Sequence, residues 1–80
     1  MYALRCDAVN QAVWDGLPNE ARQRLAVALA DACADPLGTT QAYGEDDGIM
    51  RTLVTGDILV VIYLGHQTKT LHIFQIDYLG

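Results

Sequence analysis

Hydrophobic and polar positions follow two different periods along the chain. Between Asp7 and Asp35 the apolar residues recur at helical spacing, and from Ile49 onward they form short runs rich in β-branched side chains. Asp7 is placed to cap a first helix in which Val9, Ala12, Val13 and Leu17 share a side and Gly16 ends the run. Pro18 suits the first turn of a second helix, with Glu20 near its positive end. Ala21, Leu25, Ala28, Leu29, Ala32 and Cys33 make its apolar stripe, and Asp35-Pro36 stops it. Tyr2 to Cys6 reads as a first strand with Tyr2, Leu4 and Cys6 on one face. Residues 36–48, "PLGTTQAYGEDDG", read as a loop, and three strands follow at Ile49–Thr55, Asp57–Leu64 and Thr70–Asp77. Short connections make those three strands antiparallel neighbours. The order β-α-α-β-β-β predicts an α+β, two-layer domain over residues 1–80, with the helical hairpin lying on one face of a mainly antiparallel sheet.

The stretch "GDILVVIYLG", Gly56 to Gly65, does not fit a strand with one wet face. Ile58, Val60, Ile62 and Leu64 point one way, Leu59, Val61 and Tyr63 the other, and both rows are apolar. The helix stripe is mostly alanine, so it buries modest area and the sheet supplies most of the core. No element remains to cover the second face of the sheet.

Charge and cysteines narrow the function classes. Ten acids against five bases give a net charge of −5, which repels a phosphate backbone at long range. Cys6 and Cys33 are too few and too far apart for a zinc ribbon or a redox pair, and they read as two small buried hydrophobes. Glu45, Asp46 and Asp47 lack the spacing of a calcium loop, so neither a metal nor a cofactor is expected. The N-terminal "MYALRC" has no signal-peptide pattern, and the longest apolar run, Ile58–Leu64, is too short to span a bilayer. A cytoplasmic protein without membrane contact is the expectation.

The short strand, the hairpin centred on "LPNEAR", the helix ending in "DP" and the segment "MRTLVTGDILVVIY" together resemble the RelE/ParE superfamily of bacterial toxins. Leu17-Pro18, Asp35-Pro36, Arg51, Gly56-Asp57 and Tyr63 carry the resemblance, which runs over nearly the whole chain. It implies the toxin of a type II toxin–antitoxin pair, acting on ribosome-bound messenger RNA or on DNA gyrase, with an antitoxin protein as partner. It also implies that the first strand lies beside the last. In RelE-like members, basic residues on the open sheet face hold the phosphate and stabilise transition-state charge. Arg51 matches the first arginine of the family pattern, Val60 stands where the second is kept, and His72 lies on a last strand that lacks the usual terminal arginine. Arg51 and His72 are thus the candidate catalytic residues, and the departures predict a ribosome-dependent endoribonuclease activity that is weak or lost.

Placing Arg51 on the open face brings Ile58, Val60, Ile62, Leu64 and Phe74 there too and turns Leu59, Val61 and Tyr63 toward the helices. Such a patch reaches or exceeds the ~300–600 Å2 of the largest apolar patch on an ordinary monomer. Two readings follow: a toxin-like component of a toxin–antitoxin system, or a non-enzymatic interaction module that dimerises or binds a partner through that face.

Overall fold

The expected hairpin forms as helix α1 (Ala8–Gly16) and helix α2 (Asn19–Ala34). The Asp7 carboxylate accepts from the Asn10 N–H at 2.8 Å and caps α1, satisfying one of the amides that a helix start leaves unpaired. Pro18 stands just before α2 rather than inside it. Ala21, Leu25, Leu29, Ala32 and Cys33 form the buried stripe of α2, as their spacing predicts.

The computed structural model describes all 80 residues. The strands are β1 (Ala3–Cys6), β2 (Gln41–Ala42), β3 (Met50–Thr55), β4 (Ile58–Gly65) and β5 (Thr70–Tyr78). They make one mixed sheet in the order β1-β5-β4-β3-β2, antiparallel except that β1 runs parallel to β5. The first strand thus lies beside the last. Two features inside the expected 36–48 loop were not foreseen: a one-turn helix α3 (Pro36–Thr39) and the two-residue β2. Asp35 caps α3 by accepting from the Gly38 N–H. Gly56 (φ 58°) and Asp57 turn β3 into β4, a left-handed backbone position that glycine adopts without a Cβ penalty.

The helices cover the face of β4 opposite to the expected one. Ile58, Val60, Ile62 and Leu64 are at most 1 % exposed and pack with Leu25 and Leu29 in the core, whereas Tyr63 is 45 % exposed. Alternation fixes only that the two rows point apart, and with both rows apolar it does not say which is covered. The row of aliphatic side chains fills the space above the alanine-rich helix, where a tyrosine would have to bury its hydroxyl. Leu53, opposite Val60, and Leu71 and Ile73 on β5 complete the same layer.

Candidate functional site

The inverted parity moves every site residue expected on β3 and β4. Ile58, Val60, Ile62 and Leu64 belong to the core and form no open patch; of the expected contact residues only Phe74, 64 % exposed, lies on the surface. Val60 also gives no measure of open-face charge, because it is three residues from Tyr63 and so on the opposite face.

Arg51 is likewise not on the open face. It pairs with Ile62 in the β3–β4 register, on the helix side, and is buried. Its Nε donates to Thr40 Oγ1 (2.9 Å), its Nη2 to the Thr40 carbonyl (2.8 Å) and its Nη1 to Asp46 (3.1 Å). These bonds tie the end of α3 to β3. A guanidinium spent in this way holds the fold together and has no donor directed at the open face.

The open face instead carries a row that crosses three strands. Arg5 of β1 stands beside His72 of β5, and His72 stands opposite Tyr63 of β4. The Tyr63 and His72 rings meet edge-on, 5.9 Å between centroids at 65°. Together with Asp7 and Phe74 the row lines a shallow depression of about 560 Å3. Tyr63 and His72 also wall a second depression, of about 430 Å3, lined by Gln67, Thr68 and Thr70. The pair is therefore a ridge between an arginine-bearing hollow and a hydroxyl-rich one.

Phe74, two residues beyond His72, shares its face and stands where β5 bulges. Ile62 pairs with Ile73 and Val61 with Gln75, so Phe74 has no opposite number on β4. The buried Asn10 amide of α1 donates to the Phe74 carbonyl at 3.0 Å and supplies a partner at the irregularity. On the same rim, Cys6 is exposed rather than buried as expected. Partial burial and the charges of Asp7 and Asp15 push its thiol above the ordinary range, so it is held protonated and is a poor nucleophile. Cys33 is buried, as expected.

A guanidinium, an imidazole and a phenol in one row offer anion binding and proton transfer in one place. Arg5 is the only one of the five lysines and arginines that lines this hollow: Arg24 is paired with Asp57 at 2.9 Å, Arg51 is in the core, Lys69 sits over the Tyr2 ring, and Arg22 bonds within the hairpin. Arg5 and Tyr63 were missed as site residues. The signal for Arg5 was its parity, opposite to Tyr2, Leu4 and Cys6; Tyr63 carried the family resemblance, but with its strand apolar on both sides the parity set it toward the helices. No group of three or more histidine, cysteine or acidic side chains is placed to hold a metal ion, and no helix is long and apolar enough to cross a membrane.

Neither a protein-family model nor a curated protein sequence matches the chain. Solved structures do. The isolated E. coli RelE toxin superposes with a TM-score of 0.84 at 14 % identity, covering 100 % of this chain and 86 % of that one. The toxin–antitoxin complex RelBE2 from Mycobacterium tuberculosis gives 0.82 at 15 % identity, with 96 % of each chain covered. The intact E. coli RelBE toxin–antitoxin complex gives 0.82 at 14 % identity, covering 100 % and 99 %. The helical hairpin on a five-stranded mixed sheet is thus the RelE toxin fold, reached here through a sequence in which about six residues of every seven differ.

Proposed function

We propose that this chain is the toxin-like component of a type II toxin–antitoxin pair, with an antitoxin protein as its partner and a nuclease activity on messenger RNA that is weak or lost. The observation that carries this reading is the likeness in fold, end to end, to a RelE toxin and to toxin chains within two toxin–antitoxin complexes. The weakness of the chemistry rests on the open face. Phosphodiester cleavage builds negative charge that fixed donors must meet, and losing one such donor typically costs ~2.7–4 kcal/mol of transition-state stabilisation. Here a single guanidinium, Arg5, lines the hollow, with Asp7 on its rim. Arg5 holds the phosphate in this reading, and His72 moves the proton.

Induced expression in a bacterial host tests it. Growth arrest that Arg5→Ala or His72→Ala relieves, and that co-expression of the product of an adjacent reading frame suppresses, is the expected result. Normal growth on strong induction, with no protein partner recovered, overturns it.

A second reading, a non-enzymatic module that binds a partner or itself through the open face, draws on the exposed Val54, Tyr63 and Phe74 there. Under this reading sedimentation finds a dimer that Phe74→Glu dissolves, and a monomer at high micromolar concentration removes it.

A further inference from the structure

The second hollow contains a chain of hydrogen bonds that ends on His72. His72 Nε2 lies 3.1 Å from Thr70 Oγ1, Thr70 Oγ1 lies 2.7 Å from Thr68 Oγ1, and Thr68 Oγ1 donates to the Gly65 carbonyl at 3.4 Å. Either hydroxyl of the Thr68–Thr70 pair could be the donor on geometry alone, but the Gly65 carbonyl at the far end only accepts and a hydroxyl has one proton to give, which favours one polarity. With the Thr68 proton on Gly65, Thr68 accepts from Thr70, and Thr70 in turn accepts from His72. In that polarity the imidazole carries its proton on Nε2. Its Nδ1 keeps the lone pair and bonds to no other group of the protein.

Gly65 supplies an independent observation. Its backbone does not need glycine, since its φ is not positive, yet a Cβ built there comes within 2.6 Å of Thr70 Oγ1 and 2.7 Å of Thr68 Oγ1. The glycine that closes β4 thus leaves empty the space that the two hydroxyls use. An alanine there would force the two threonine side chains to turn, which breaks the hydroxyl chain.

We propose that Thr70 and Thr68, with Gly65 reserving their space, are positioning residues that hold His72 as the Nε2–H tautomer and leave Nδ1 as the proton-accepting atom of the open face. Which nitrogen of a histidine is basic is decided by the bond the other one makes. A fixed tautomer with a free lone pair beside a guanidinium and a phenol is the arrangement in which one imidazole accepts a proton from a group bound to Arg5. The use of that base rests on the toxin reading, whereas the tautomer does not.

Nitrogen-15 NMR of the histidine ring, recorded on the full chain at a pH where imidazole is neutral, tests the proposal directly. The expected spectrum has His72 Nε2 in the protonated range and Nδ1 in the lone-pair range. Thr70→Val and Gly65→Ala should each draw both signals toward the average of the two tautomers, and Thr70→Ser, which keeps the hydroxyl, should hold the native pattern. Far-UV circular dichroism checks that each variant is folded, and Thr68→Ala replaces any that is not. A native His72 that is protonated on Nδ1, or a spectrum that Thr70→Val leaves unchanged in a folded protein, overturns the proposal. In the growth assay, relief by Thr70→Val and Gly65→Ala but not by Thr70→Ser ties the tautomer to toxicity. A native chain that shows the expected tautomer yet neither arrests growth nor yields a protein partner overturns the toxin reading and leaves the positioning role standing.

Discussion

The two faces of strand β4 have nearly the same hydrophobicity and opposite roles. On one side Ile58, Val60, Ile62 and Leu64 interlock with Leu25 and Leu29 of α2 and exclude water; on the other Leu59 and Tyr63 are partly open, and only Val61 is buried. The arginines divide in the same way. Arg51 lies on the covered side with its donors committed to Thr40 and Asp46, and Arg5 lies on the open side next to His72. Residue type alone does not separate these roles. What separates them is the layer to which each position belongs, since a covered polar group must be fully bonded while an open one keeps donors for a ligand.

The comparison breaks most completely if a charge enters the covered side. Val60→Glu places a carboxylate where exposure is 0 %, and the desolvation penalty is several kcal/mol even after relaxation. Denaturant titration should find the variant largely unfolded; a stable, soluble Val60→Glu protein would return this row to the open face. Next in size is Arg51→Ala, which leaves the Thr40 carbonyl without its guanidinium donor and the Thr40 hydroxyl with only its bond to the Pro36 carbonyl. A cost of about 1–3 kcal/mol in unfolding free energy is expected, the usual penalty for stranding a buried polar group. If Arg51→Ala unfolds at the native midpoint but abolishes growth arrest, its place belongs in the site after all.

Substitutions on the open side should leave stability nearly untouched. Phe74→Glu removes a ring that is 64 % exposed and is expected to stay within about 0.5 kcal/mol of the native protein. Its effect should appear instead in partner binding, read by co-purification, so that stability and association move independently. The smallest effect concerns acid. Asp47 accepts from the N–H groups of Ile49 (2.9 Å) and Met50 (3.1 Å), and these bonds, that of Ile49 first, hold its carboxyl below the ordinary range. A carboxyl lowered in the folded state stabilises the fold above its unfolded value, and that contribution is lost as pH falls through the folded value. The Ile49 and Met50 amide signals should therefore shift together on acidification, and amides that stay still through the whole titration would separate Asp47 from the entry to β3.

Much of the architecture can be read along the chain because it depends on neighbours in sequence. Asp7 caps its own helix, Asp35-Pro36 ends the next one, and the α2 stripe from Ala21 to Cys33 follows from 3.6-residue periodicity. The short α3 and β2 escaped because four residues and two residues are too few to show a period, and both depend on contacts with Arg51 and β3. The bulge at Phe74 escaped for a similar reason, since a register shift exists only between strands.

The candidate site belongs to the same class of facts. Its members come from three strands, and Arg5 and His72, 67 positions apart, become neighbours only because β1 slots in parallel beside β5. By itself the sequence determined the two longer helices, the four longer strands, the hairpin turns and the two opposed rows of β4. Each of these is a local matter of capping, spacing or side-chain alternation. Only the tertiary structure decided which row the helices cover, because packing one layer on another depends on shape and volume summed over the whole interface. That choice placed Arg51 and Val60 in the interior and left Arg5, His72 and Tyr63 on the open sheet.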